Sequence, residues 1–241
     1  MLRINVWSSP RNISTAFMYS FAQREDTTVV DEPLYAHYLS KTGTLAEHPC
    51  RAEILGSMEK EGEKVVEEVI FGKYECPVVL FKQMTHHLIQ LKEDFLFQTE
   101  NVLLIRNPRE IIASYSKVIP NPAMQDVGIK KQFELFGKLD EAGKIAAVID
   151  ARELLLNPRQ VLSQLCRRLN ISFDEKMLSW KAGPRIEDGI WAKYWYANVH
   201  QSVGFKKYQP RQIQLSGELE ALAEECWPYY SFLFEKSLKS G

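Results

Sequence analysis

The sequence predicts an α/β fold, with a central, mostly parallel sheet of about five strands flanked by helices. Three observations predict it. Five short apolar runs recur along the 241 residues, each run is continuous rather than alternating, and amphipathic stretches separate them. A strand covered on both faces needs apolar side chains on both, so it reads as an unbroken run. Strand–helix alternation over a whole chain then favours a parallel sheet between helical layers.

The elements follow in order. The first run is LRINVW (2–7), and residues 14–24 continue it as a helix. TVVD (28–31) is the second run. Residues 57–71 carry Met58, Val65, Val66, Val69 and Ile70 among Glu and Lys, the spacing of an amphipathic helix. PVVLFK (77–82) and NVLLIR (101–106) are the third and fourth runs, and a helix over 109–118 follows the fourth. IAAVID (145–150) is the fifth. The helix over 158–169 opens on Asn157-Pro158, a cap followed by a first-turn proline. A last long helix covers 217–238. The stretch 180–210 is dense in aromatic and turn residues and reads as ordered irregular structure, a lid or a small helical subdomain. No repeat and no Gly/Ser-rich linker divides the chain, so one domain spans 1–241.

Composition narrows the function classes. Lys plus Arg number 30 and Asp plus Glu 31, for a formal net charge of −1. With 45% hydrophobic residues the chain is not short of core, which excludes wholesale disorder. A near-zero charge argues against a nucleic-acid binder that works through bulk charge, though not against a local anion site. The N-terminus lacks the pattern of a signal peptide. The longest apolar runs, about six residues, fall far short of the roughly 20 that a membrane span needs. The four cysteines (Cys50, Cys76, Cys166, Cys226) are scattered, with no CxxC pair and no zinc-like spacing, and fit a reduced, cytoplasmic protein. No metal site is expected.

In an open α/β sheet, ligands bind beyond the carboxyl ends of the strands. After the first run come Ser8-Ser9-Pro10-Arg11-Asn12-Ile13-Ser14-Thr15 and then a helix. Such a loop offers free backbone N–H groups and the positive end of a helix dipole, which suit phosphate or sulfate. Arg11 adds a cationic fork, and Ser14 and Thr15 add hydroxyls; the bland alternative is that Ser14 caps the helix. The loop has no GxxxxGK[ST] spacing. After the fourth run come Arg106-Asn107-Pro108, with Ser114 two turns along the helix. Arg106 and Ser114 either converge on one oxyanion or are a surface arginine and a neutral helical serine.

Together these segments resemble the sulfotransferases that use 3′-phosphoadenosine-5′-phosphosulfate (PAPS), and look closest to the bacterial-type proteins. Pro10-Arg11-Asn12-Ile13-Ser14-Thr15 is similar to that family's phosphosulfate loop, P-[KR]-S-G-[ST]-T. Arg106-Asn107-Pro108 with Ser114 matches its RNPxxxxxSxx motif. The segment DARELLLNPRQVLSQLCRRLNISFDEKML resembles the family's leucine-rich helix after the fifth strand, so the similarity covers most of 2–180. Two departures stand out. The family's loop glycine is Ile13 here, a strained choice if that position needs positive φ. The family's C-terminal Arg-Lys-Gly element is missing, and Gly204-Phe205-Lys206-Lys207 is a weak replacement.

The resemblance implies a P-loop-like three-layer fold and an in-line transfer of the sulfuryl group to a hydroxyl or amine of a small acceptor. Arg11 stabilises the bridging and leaving oxygens. Backbone N–H groups of Asn12, Ile13, Ser14 and Thr15 hold the 5′-phosphate and sulfuryl group, and Arg106 and Ser114 bind the 3′-phosphate. The scheme needs no metal. For the general base, Glu32 after the second run is the first choice and His86 after the third is the rival; Lys82 is a secondary candidate for touching the sulfuryl group. His37, His48 and His200 are given no role. Trp191, Tyr194, Trp195 and Tyr196 either line an acceptor pocket or pack a subdomain against the core. Acceptor specificity is expected in 33–56, 84–98, 119–130 and 185–210. The alternatives are a small-molecule or nucleotide kinase on a P-loop scaffold, which the missing Lys disfavours, and a non-catalytic nucleotide-binding homologue.

Overall fold

The computed structural model describes residues 1–42, 50–117, 121–210 and 212–241. Five strands form its sheet: β1 (Leu2–Ser8), β2 (Thr27–Asp31), β3 (Val78–Met84), β4 (Glu100–Ile105) and β5 (Ile145–Asp150). Their order is β2-β3-β1-β4-β5 and every pairing is parallel. Each apolar run thus became a strand.

Successive strand residues divide between two cores, which is why the runs are largely apolar; in β1 the exceptions are Arg3 and the buried Asn5. On one face Ile4, Val6, Leu80 and Leu104 pack with Phe17 and Phe21 of α1 (Ser14–Phe21), Leu154 of α8 (Ala151–Leu156) and Val161 and Leu165 of α9 (Pro158–Arg168). On the other, Trp7, Phe81 and Leu103 pack with Ile111 of α5 (Pro108–Tyr115), Leu135 of α7 (Ile129–Asp140) and Leu233 of α12 (Gly217–Glu235). Truncating a fully buried leucine such as Leu80 or Leu103 to alanine costs about 2–5 kcal/mol.

The stretch read as one helix over 57–71 is divided. The Glu59 carboxylate accepts the N–H groups of Lys60 (2.7 Å) and Glu61 (2.8 Å). That local bonding competes with helix propagation, so α3 (Arg51–Ser57) ends and α4 (Gly62–Lys64) begins anew, running on as a π-helix over Val65–Ile70. Helices α2 (Tyr35–Thr42), α3, α6 (Met124–Val127) and α7 lie outside the helices read from sequence. The stretch 180–210 holds two single turns, α10 (Ala192–Trp195) and α11 (Ala197–His200). Trp191 and Tyr196 are buried against Leu39 and Ile54 in a third apolar cluster, while Tyr194 and Trp195 are exposed. No helix among the described residues is long and apolar enough to cross a membrane.

This topology sets the site. The chain leaves β1 for β2 on one side of the sheet and leaves β4 for β5 on the other, so a crevice opens between the carboxyl ends of β1 and β4. Gln132 of α7 spans its floor, donating to the carbonyls of Trp7 (3.0 Å) and Leu104 (3.0 Å).

Candidate functional site

The loop after β1 enters this crevice. Its left-handed residue is Arg11 (φ 59°), while Ile13 has φ −96° and is unstrained. The strain expected at Ile13 is therefore absent, because the loop turns two residues earlier. Asn12 fixes the path: its Nδ2 donates to the Leu104 carbonyl (2.9 Å) and its Oδ1 accepts the Ile13 N–H (2.8 Å). That bond removes Ile13 from the set of free donors. Ser14 does not cap α1; the helix begins at Ser14 and its first turn has no side-chain cap. The Ser9 hydroxyl is buried without a hydrogen-bond partner among the described residues.

The segment after β4 meets this loop directly. Arg11 Nε donates to Ser114 Oγ (2.9 Å), and Arg106 Nη1 donates to the Arg11 carbonyl (2.6 Å). Asn107 caps α5 by accepting the Arg109 N–H (2.9 Å), with Pro108 in the first turn, and this places Ser114 two turns away on the crevice side. Arg106 Nε donates to Glu110 (2.8 Å). Beyond the ends of β4 and β5 lies a cavity of about 180 Å³, lined by Arg106, Glu110, Arg152, Tyr208, Trp227 and Tyr230 among others. Under it Asp150 is buried, its carboxyl pushed up to about 6 by burial against the hydrogen bonds of Glu153 N–H and Tyr230.

A second cluster sits at the ends of β2 and β3, where the register sets Asp31 beside Lys82. Lys82 Nζ donates to Asp31 Oδ1 (2.8 Å), Glu32 Oε1 (2.5 Å) and Tyr196 Oη (2.7 Å). Tyr196 Oη in turn donates to Asp31 Oδ2 (2.8 Å), and the Gly189 N–H reaches the same oxygen (3.0 Å). Lys82, with all three N–H groups engaged and 1% exposed, is not free to touch a sulfuryl group, contrary to expectation. Burial works against its charge, but Asp31 and Glu32 prevail and hold its ammonium well above the usual lysine range. Glu32 is buried with a left-handed backbone (φ 41°), and burial raises its carboxyl, aided by Asp31 and opposed by Lys82.

The imidazole beside Glu32 is His87, whose Nε2 lies 3.8 Å from Glu32 Oε2. His87 is sandwiched between Tyr35 and Tyr38, with ring centroids 4.8 Å away on each side. His86, the rival base, instead packs edge-on against Tyr38 and His87. Burial lowers its ring to about 4, so it is neutral at pH 7. His37 bridges the carbonyls of Lys60 and Ile89, and His200 Nε2 bonds Asp188 (2.9 Å). His48 lies outside the described residues, as do parts of the expected specificity loops 33–56 and 119–130.

Burial, Asp126 and Tyr38 push the Tyr115 phenol up to about 12, against the pull of Arg11. Sequence reasoning missed His87 and Arg152, and it named Tyr196 only as an aromatic lining a pocket or packing a subdomain, not as a partner of Lys82. The pairing of Lys82 with Asp31 was signalled only once the two strands were known to be neighbours.

Residues 2–235 match the family model described as a sulfotransferase domain. Among curated proteins, the chain is 45% identical over 237 residues to branched-chain-amino-acid aminotransferase-like protein 1 of Arabidopsis thaliana, and 39% identical over 234 residues to protein 2 of that name. Each alignment covers 95% of this chain and 41% of the relative, so the chain spans less than half the length of these proteins. Among solved structures, it resembles the sulfotransferase domain from the curacin biosynthetic pathway, with TM-score 0.53 and 16% identity over 93% of this chain and 96% of that one. It also resembles the sulfotransferase from Alicyclobacillus acidocaldarius, with TM-score 0.52 and 12% identity over 99% and 97%. At these identities the likeness is one of fold.

Proposed function

This chain belongs to the sulfotransferase domain family, and we propose that it transfers a sulfuryl group from PAPS to a hydroxyl or amine of a small acceptor. The observation that carries the reading is the junction of the two loops, where Arg11, Ser114 and Arg106 bond to one another beside an uncapped helix start. The residues fit a small polyanion. The buried Ser9 hydroxyl lacks a partner among the described residues, and the first turn of α1 presents amide donors with the helix dipole behind them.

When bound, PAPS supplies a sulfuryl group activated by its bond to the 5′-phosphate. Arg11 and the Ser14 and Thr15 amides and hydroxyls hold the charge that develops on the peripheral and leaving oxygens, as in phosphoryl transfer. Arg106 and Ser114 hold the 3′-phosphate. Glu32 takes the acceptor proton at its carboxylate. Its environment favours this: Asp31, Glu32 and Lys82 carry a net charge of −1 in a buried space, and protonating Glu32 brings that to zero. Lys82 acts as the counter-ion that positions Glu32. The four cysteines form no disulfide among the described residues, which supports a reducing, cytoplasmic setting.

Titration calorimetry with adenosine 3′,5′-bisphosphate and 5′-AMP tests the reading. The bisphosphate binds at least tenfold tighter, and Arg106→Ala weakens it by more than about 1.5 kcal/mol, the scale of a charge-assisted hydrogen bond. Equal affinity for the two nucleotides overturns the proposal.

A further inference from the structure

Arg106 stands on one side of the crevice, and a second arginine stands on the far side. Arg152 stands in the first turn of α8. Asp150 fixes its backbone there by accepting the N–H groups of Arg152 (2.8 Å) and Glu153 (3.3 Å). Its guanidinium lies over the ring of Tyr208, 5.8 Å from the centroid, and makes no ion pair among the described residues. Tyr208 Oη donates to Glu110 Oε1 (2.8 Å), and Glu110 Oε2 accepts from Arg106 Nε (2.8 Å). This chain of contacts holds two guanidinium groups, from the ends of two neighbouring strands, on the rim of one cavity of about 180 Å³. Arg106 has Nε on Glu110 and Nη1 on the Arg11 carbonyl, which leaves Nη2 without a protein partner among the described residues. The rim carries two guanidinium groups and the Glu110 carboxylate, with the Asp150 carboxyl buried beneath, and the two guanidinium groups are the donors that face the cavity. Lys206 and Lys207, the replacement considered from sequence, are exposed, whereas the next residue, Tyr208, lines the cavity.

We propose that Arg152 is the second basic ligand of the 3′-phosphate, opposite Arg106. The inference rests on the PAPS reading. A guanidinium laid on an aromatic ring keeps its outer N–H edge free and pre-oriented, which suits a planar fork to a phosphate. Arg152 recognises the 3′-phosphate alone, so its loss discriminates between nucleotides that carry that group and those that do not.

Calorimetric titration of the full chain with adenosine 3′,5′-bisphosphate and with 5′-AMP tests this in the wild type, Arg152→Ala, Arg152→Lys and a Lys206→Ala/Lys207→Ala double variant. Arg152→Ala is expected to lose about tenfold in affinity for the bisphosphate, the value of one charge-assisted contact, with 5′-AMP unchanged. Arg152→Lys recovers part of the loss, and the double lysine variant changes neither ligand by more than about twofold. Bisphosphate affinity unchanged in Arg152→Ala, an equal loss for both nucleotides, or a larger loss in the lysine variant overturns the proposal. A wild type that binds both nucleotides equally removes the PAPS reading itself, a result distinct from failure of Arg152 alone.

Discussion

The two ends of the crevice handle charge in opposite ways. At the ends of β2 and β3, Asp31, Glu32 and Lys82 are buried and closed on one another, and Tyr196 and the Gly189 N–H complete the set. At the ends of β4 and β5, Arg106 and Arg152 are partly open to solvent, with N–H groups left over among the described residues, and the buried Asp150 beneath them forms no ion pair there. The closed end is set before any ligand arrives, whereas the open end keeps donors for one. On the proposed reaction the closed end is a base held still, and the open end is a cradle whose cations are held in reserve.

The largest expected effect separates chemistry from stability at the closed end. Glu32→Gln is expected to lower turnover of PAPS by roughly 10²- to 10⁴-fold, the value of a positioned base. Because burial raises the Glu32 carboxyl, the same change leaves stability at pH 7 equal or higher. A variant that loses stability and keeps activity would make Glu32 a structural ion-pair partner.

Lys82→Met comes next. It leaves two buried carboxylates without a cation, so urea denaturation at pH 7 should show a loss of about 3–5 kcal/mol. The loss shrinks at acid pH as the carboxylates take up protons. A cost under about 1 kcal/mol, the range of an exposed pair, would mean that the closed end is not closed.

The smallest of the three concerns the open end. Asp150 is raised from 3.8 to about 6, so the native state holds its proton more tightly than the unfolded chain. Its contribution is present at low pH and is lost as pH rises through that interval. At about 1.4 kcal/mol per unit the total reaches roughly 3 kcal/mol. Asp150→Asn is expected to flatten this part of the stability profile between pH 4 and 6. A profile unchanged from the wild type would show that Asp150 has a compensating partner.

Much of this could be read from sequence, for identifiable reasons. All five strands announced themselves because a sheet covered on both faces is largely apolar, even though the buried Asn5 sits inside β1. Arg11, Arg106 and Ser114 were legible because each follows a strand end, and β1 and β4 are neighbours. What escaped notice depends on contacts across long separations. Tyr196 meets Lys82 across 114 residues, and no local pattern marks that contact. His87 differs from His86 only in which way a turn of 3₁₀-helix faces it. Helix α7 carries apolar residues at Ile129, Leu135, Phe136 and Leu139, a pattern present in the sequence that the reading did not use.

Arg11 and Glu32 share a feature that bears on how such a protein can evolve. Both hold left-handed backbone, which costs a non-glycine residue about 1 kcal/mol or more. A glycine at either position would relax the turn and remove the side chain. Random drift toward greater stability therefore runs directly against the two side chains that the proposed chemistry needs. A lineage that kept the fold and abandoned the reaction would be recognisable by glycines at 11 and 32.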